Sequence, residues 1–205
     1  MGGGNVGRVR SRSFGYPVFL DLAAAPVLLV GGGPVALRKA EGLSAAGAAV
    51  TVIAPHVVPE LDAVAVRIER RAYGPGDVDG HRLVITATND PAVNAQVSAD
   101  ARAAGIWVNS ADDPDNCSFI LPAVARRGPV TVAVSTGGAS PALASRLRRV
   151  IAETVLTPAV EHAADELVRQ RAEIHATGAS TEDVDWTERV DAALRAASAA
   201  PPGAS

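Results

Sequence analysis

The stretch Val27-Leu28-Leu29-Val30-Gly31-Gly32-Gly33-Pro34-Val35-Ala36 constrains this chain more than any other. An apolar run stops in glycines and passes straight into residues that suit a helix. Gly31, Gly33 and Ala36 stand at the three key positions of a G-x-G-x-x-G/A fingerprint. Gly31 permits a sharp turn off a strand. Gly33 lets the backbone approach a pyrophosphate closely. The helix start behind them offers unpaired N–H groups and a partial positive charge to that anion. Glycines also serve ordinary turns, so the pattern counts through its setting, with a strand before it and a helix after it.

The same grammar repeats. Val27–Val30 reads as the first strand, Pro34 to about Ala46 as a helix stopped by Gly47, and Ala49–Ala54 as the second strand. Val64–Arg70 alternates apolar and polar residues and reads as a third. Leu83–Thr88 reads as a fourth, followed by a helix from Pro91 to about Ala104 and a fifth strand at Ile106–Asn109. This alternation predicts an α/β, Rossmann-type parallel sheet. After Asp115 the pattern changes. Ser118–Ala125 and Val130–Ser135, joined by Arg126-Arg127-Gly128-Pro129, predict a β-hairpin outside that sheet. Ser140-Pro141 and Thr157-Pro158 start two helices, and a capping box at Ser180–Asp183 starts a last one ending near Ala197. The expected organisation is a disordered start (1–13), a dinucleotide-binding domain (14–117), a hairpin-plus-helix dimerisation region (118–156), a helical region (157–198) and a disordered tail (199–205).

Composition narrows the function classes. The net charge of -3 gives no field that favours nucleic acid, and 3% aromatics supply few stacking platforms. No apolar run approaches the ~20 residues that span a bilayer. No signal core follows the N-terminal arginines, so a cytoplasmic protein is expected. The one cysteine, Cys117, forms no internal disulfide and reads as a small buried residue. The four histidines show no metal-binding spacing, so no resident metal is expected.

Ligands of open α/β sheets lie outside the carboxyl ends of the strands. At the second such end, where an acid often holds the ribose about 20 residues past the glycines, this chain has Pro55 and His56. Neither an acid nor an arginine stands there, so the position does not separate NAD from NADP. His56 reads equally as a ribose contact or a solvated loop residue. Thr88, in Thr86-Ala87-Thr88-Asn89-Asp90, reads as a neighbour of the nicotinamide ribose or, with Asn89, as a helix cap. Asn109-Ser110-Ala111-Asp112-Asp113-Pro114 brings carboxylates to the fifth strand end, for general-base work, to meet a metal, or as turn chemistry, with Asp113 and Asp115 the weaker candidates. Ser135-Thr136-Gly137-Gly138-Ala139-Ser140-Pro141 is a second glycine loop running into a helix, an anion pocket or a plain corner. The Arg146, Arg148, Arg149 cluster reads as a solvated face that also suits a polycarboxylate.

Taken together, these motifs resemble the precorrin-2 dehydrogenase family and the N-terminal module of siroheme synthases. The matching pieces are Tyr16-Pro17-Val18-Phe19-Leu20, Val30–Ala36, Arg38-Lys39-Ala40, Ala87-Thr88-Asn89-Asp90, Val93-Asn94, Asn109 with Asp112, Ser118-Phe119-Ile120-Leu121-Pro122 and Ala133–Pro141, in order over about Tyr16–Glu153. The resemblance implies NAD-dependent oxidation of precorrin-2 to sirohydrochlorin, with ferrous iron insertion as an added activity in some members. It implies catalysis by Asp112, cofactor contacts at Gly31, Gly33, Pro34, Val35, Pro55, His56 and Thr88, and substrate contacts at Asn109, Ser135, Thr136, Gly137 and Arg146. Two departures stand out. Thr136 replaces a serine that is phosphorylated in some fused synthases, and nothing after Glu153 suggests a methyltransferase domain, so precorrin-2 would arrive ready-made. The hairpin and its helix are too small for an independent core, which predicts a homodimer with the active site near the interface. A non-catalytic NAD-sensing regulatory module is the alternative; it accounts for the fingerprint and the basic helix but not for Asp112 or the second glycine loop.

Overall fold

The computed structural model describes residues 15–111 and 113–199. The chain divides into two compact units after Leu121. The segments 1–13 and 199–205, expected to be disordered, lie outside the described residues apart from Ala199, which ends the last helix.

The first unit runs β1 (Pro26–Val30), α1 (Pro34–Ala45), β2 (Ala49–Ile53), β3 (Arg67–Glu69), β4 (Leu83–Thr86), α2 (Pro91–Ala103) and β5 (Trp107–Ser110). All five strands are parallel, in the order β3-β2-β1-β4-β5. The apolar run of β1 has its reason in this order. The strand lies at the centre of the sheet and is buried on both faces. Val27 and Leu29 join Ala36, Ala40 and Val52 on the α1 side, while Leu28 and Val30 join Val97 and Ala101 on the α2 side. The alanines of α1 keep that helix close against the strands.

Two strand expectations change. Only Arg67–Glu69 of the run Val64–Arg70 pairs, with Thr51–Ile53 of β2. A five-residue 3₁₀ segment, Pro59–Ala63, precedes it, and Val66, one of the alternating apolar residues of that run, is 74% exposed. The strand starts late because the preceding turn runs on through Val64 and Ala65, whose N–H groups both donate to Leu61 O. The second change concerns Ser118–Leu121, expected to open the hairpin. The first hairpin strand begins only at Ala123, because the preceding residues cover the open side of β5. Ser118 N–H donates to Val108 O at 2.7 Å, Val108 N–H donates to Ser118 Oγ at 2.7 Å, and Ser110 N–H donates to Cys117 Sγ at 3.1 Å. Side chains thus satisfy an edge that another strand would otherwise pair.

The second unit holds β6 (Ala123–Arg127) and β7 (Val130–Val134), antiparallel around the two-residue turn Gly128-Pro129. Then come α3 (Pro141–Thr154), which packs on the hairpin, and α4 (Pro158–Ala176) and α5 (Trp186–Ala199), which pack on each other. Ser140 and Thr157 cap their helices as expected, accepting from Leu143 N–H and Val160 N–H. The last helix starts later than Ser180–Asp183 predicts. Ser180 Oγ accepts from Glu182 N–H in a turn, and Asp185, next to the helix, accepts from Thr187 N–H at 2.9 Å. No described helix is long and apolar enough to cross a membrane.

Candidate dinucleotide site

The carboxyl edge of the sheet is built around the glycine turn. Gly31 leaves β1 with a φ of +131°, which disfavours a side chain, and a Cβ there would fall 2.4 Å from Ala87 O. Gly31 N–H donates to Ile53 O at 3.0 Å, and Ala87 N–H donates to Val30 O at 2.8 Å. Val58 N–H donates to Gly32 O at 2.8 Å. The turn is therefore clamped between the segment after β2 and the segment after β4. That clamp confines Gly32, a residue outside the fingerprint's key positions: a Cβ there would sit 2.0 Å from His56 O. Gly33 differs. A Cβ built on it meets no described atom within 4 Å. It faces open space beside the start of α1, where no described side chain caps the helix and no acid stands in the first turn.

That combination fits a pyrophosphate. The open face at Gly33 admits a group that a side chain would displace, and the first N–H groups of α1 lack intrahelical partners. Pro34 fixes the first turn without a donor, leaving Val35 and Ala36 to supply N–H groups. Val35, Pro55 and His56 are exposed around the same turn, as a dinucleotide contact requires.

The β4 end is more committed than its sequence suggests. Asp90, not Thr88 or Asn89, caps α2, accepting from Ala92 N–H at 2.8 Å. Thr88 Oγ1 donates to Asn94 Oδ1 at 2.8 Å and accepts from Asp90 N–H at 3.1 Å. Asn94 Nδ2 donates to Thr88 O at 3.0 Å, and buried Thr86 donates its hydroxyl to the same Asn94 oxygen. Thr88 thus braces the turn with the hydroxyl that a cofactor contact would need. Asn94 ties it all together, and sequence reasoning gave it no role. The available signal was a polar residue in register with Val97 and Ala101 on the buried face of α2.

At the β5 end, Asn109 points inward. It is 6% exposed, and its Nδ2 donates to Phe119 O at 3.0 Å and approaches Cys117 Sγ at 3.5 Å. Its side chain holds the segment after the loop, a different role from the substrate contact expected of it. Cys117 is 2% exposed, as expected of a small buried residue, and burial pushes its thiol pKa up. The Asp113 carboxylate accepts from Asn116 Nδ2 at 2.7 Å, which makes it turn chemistry. Ala111 N–H continues the sheet to Thr86 O at 2.9 Å. Asp112, the expected catalytic residue, lies outside the described residues.

The second glycine loop belongs to the second unit. Thr136 Oγ1 donates to Ser140 O and accepts from Ser140 N–H, both at 3.0 Å, and Gly137 N–H donates to Ser135 Oγ at 3.1 Å. Gly137, at a φ of +62°, lets the loop close this way, and a Cβ there would meet no described atom within 4 Å. Ser135, Gly137 and Arg146 are exposed, and Thr136 is half-buried.

Residues 18–123, more than half of the chain, match a family model described as "Putative NAD(P)-binding". The chain belongs to this NAD(P)-binding family. Directly after that region of the NAD(P)-binding chain, residues 127–154 match a second model, "Sirohaem biosynthesis protein central". The chain is 54% identical over 136 residues to a siroheme synthase of Methylococcus capsulatus, covering 64% of this chain and 29% of that protein. It is 48% identical over 137 residues to a siroheme synthase of Chromobacterium violaceum, covering 65% and 29%. The chain spans about 29% of the length of these curated relatives. Among solved structures, "SirC, precorrin-2 dehydrogenase" superposes with a TM-score of 0.66 at 28% identity, covering 89% of this chain and 98% of that one.

Proposed function

We propose that this NAD(P)-binding chain oxidises precorrin-2 to sirohydrochlorin with NAD, in siroheme biosynthesis. The observation that carries the reading is the open face at Gly33 on a clamped glycine turn, in a chain that aligns along nearly the whole length of a precorrin-2 dehydrogenase structure. When bound, NAD supplies a two-electron oxidant that takes a hydride from the substrate. The rest falls to the chain. Gly31, Gly33, Pro34 and Val35 hold the pyrophosphate, while Pro55 and His56 border the ribose. The Thr88–Asn94 clasp keeps the floor of the site rigid. Asp112 takes the proton that leaves the macrocycle as conjugation extends, so that hydride and proton together account for the two-electron oxidation. Ser135, Thr136, Gly137 and Arg146 meet the substrate's carboxylates, Arg146 with charge and the loop with N–H groups. Asn109 acts at one remove, holding the segment that closes the Asp112 loop. The domain limits proposed are 14–117 for the dinucleotide-binding domain, 118–156 for the dimerisation region and 157–198 for the helical region. The active form is a homodimer.

The test is an anaerobic absorbance assay of precorrin-2 with NAD⁺. NADH formation that accompanies conversion to sirohydrochlorin is expected from the native chain, with a large loss in Asp112→Asn. Full activity in that variant removes Asp112 from the mechanism, and NAD⁺ binding without any tetrapyrrole turnover favours the sensing module instead. A second arm adds ferrous iron to sirohydrochlorin; equal rates with and without protein leave dehydrogenation as the whole activity.

A further inference from the structure

The end of β2 carries neither the acid that selects NAD nor an arginine that welcomes a 2′-phosphate, so cofactor choice must be set elsewhere. The neighbouring strand end supplies the means. Ile53 pairs with Glu69, and Ala54 N–H donates to Glu69 O at 3.1 Å, which sets the end of β3 beside the end of β2. Three arginines stand there, at positions 67, 70 and 71, a number that on composition alone suits a phosphate. Each stands in an ion pair, Arg67 and Arg70 through one nitrogen apiece. Arg67 pairs with Glu69 at 2.9 Å, and Arg70 donates to both oxygens of Asp62 at 2.8 and 3.0 Å.

Arg71 is the most fully occupied. Its Nε donates to Glu69 Oε2 at 2.8 Å. One terminal nitrogen donates to Asp77 Oδ2 at 2.7 Å and to Ala72 O at 3.1 Å. The other donates to Asp77 Oδ1 at 2.8 Å and to Glu69 Oε2 at 2.5 Å. A guanidinium has five N–H groups, and this arrangement uses all five. Asp77 is fixed in turn by Gly74 N–H at 2.7 Å, and its side chain is 15% exposed. The stretch from Glu60 to Asp79 holds five carboxylates and three guanidinium groups, so this segment is net negative.

We propose that Glu69 and Asp77 are specificity-determining residues: by sequestering Arg71 at the β3 edge, they make this site prefer NAD over NADP. A 2′-phosphate entering here finds the Arg71 guanidinium with every N–H engaged by carboxylates and a carbonyl, and must displace them to use it, whereas an unphosphorylated ribose needs no such exchange. The inference rests on dinucleotide binding alone, so it stands or falls independently of the tetrapyrrole chemistry.

The test measures binding directly, by titration calorimetry of NAD⁺ and NADP⁺ into the full chain. In the double variant Glu69→Gln with Asp77→Asn, the freed guanidinium should tighten NADP⁺ binding about tenfold, the scale of one charge-assisted contact, and change NAD⁺ binding less than about twofold. Glu69 also pairs with Arg67, so Arg67→Gln is carried in every protein compared, and adding Arg71→Gln should return NADP⁺ affinity to the level of Arg67→Gln alone. The gain should also shrink as salt rises from about 0.05 to about 0.5 M, because the new contact is exposed and screened. Where the double variant does not fold, Asp77→Asn alone should give a smaller gain, about threefold. Unchanged NADP⁺ affinity in folded variants, or a gain that survives loss of Arg71, overturns the proposal.

Discussion

At the scale of single residues, the glycine turn divides labour among neighbours that look alike in sequence. Gly33→Ala adds a methyl group to open space at a φ of -90°, which any residue adopts. Its unfolding free energy in urea should fall by no more than about 1 kcal/mol, the cost of alanine in place of glycine at a helix N-cap, while NAD⁺ affinity drops because the methyl occupies the pyrophosphate's approach. Gly32→Ala drives a methyl group into the His56 carbonyl and should cost about 1–3 kcal/mol, as overpacking does. Paired denaturation and calorimetry check both; equal effects of the two substitutions refute the division. The role of Gly33 is legible in sequence because the fingerprint is local. That of Gly32 is not, since the atom that confines it is more than twenty residues away in the chain. Asn94 makes the same point. Asn94→Ala strands the buried Thr86 hydroxyl and loosens Thr88, and should cost about 1–3 kcal/mol in urea unfolding, the penalty for an unsatisfied buried group.

At the scale of elements, strands and helices that carry their own punctuation are legible: β1 from its unbroken apolar run, α1 and α2 from a proline at the start and a glycine at the end. Elements set by their neighbours are not. β3 is shortened by the turn before it, which holds Val64 and Ala65 on Leu61 O, and Ser118 lies against β5 by lending it a hydroxyl and one N–H, with Cys117 lending its sulfur, instead of forming a ladder. The loop from Gly74 to Gly80 is another such element, held by charge. Arg71, hydrogen-bonded to Asp77, holds that carboxyl below the usual carboxylate range, with partial burial opposing and Gly74 N–H assisting. A folded pKa below the unfolded value of about 3.9 means that Asp77 stabilises the fold fully at neutral pH and loses that contribution as pH falls through the folded value. Urea midpoints of the native chain should therefore fall from about pH 4 downward, and Asp77→Asn, less stable at pH 7, should fall less steeply over that window. Parallel curves for the two proteins would remove the loop's ionic anchor from the account.

At the scale of the whole molecule, the two units differ in how they hold together. The first buries valine, leucine and isoleucine on both faces of a sheet. In the second, the buried apolar residues among those described are Ala125, Ala144, Leu156, Ala163 and Ala193, little apolar surface for a unit of this size. Its larger side chains face outward: Leu143 is 50% exposed, Leu147 42% and Val150 37%, spaced so that they share one face of α3. Ala144, one residue along, lies instead on the buried face of the same helix. An apolar stripe of this kind on a unit with so small a core is what a second copy would cover, since a two-fold contact lets one stripe bury its own equivalent. Light scattering of the native chain at micromolar concentration should give twice the chain mass. Leu147→Glu should give the single-chain mass with helical content retained, because the residue's exposure makes it dispensable within the chain. The same variant should lose tetrapyrrole turnover more than NAD⁺ affinity, since the glycine turn lies wholly in the first unit. A native monomer, or a Leu147→Glu dimer, would mean that the stripe serves some other contact and that one copy of Ser135–Arg146 suffices for the substrate.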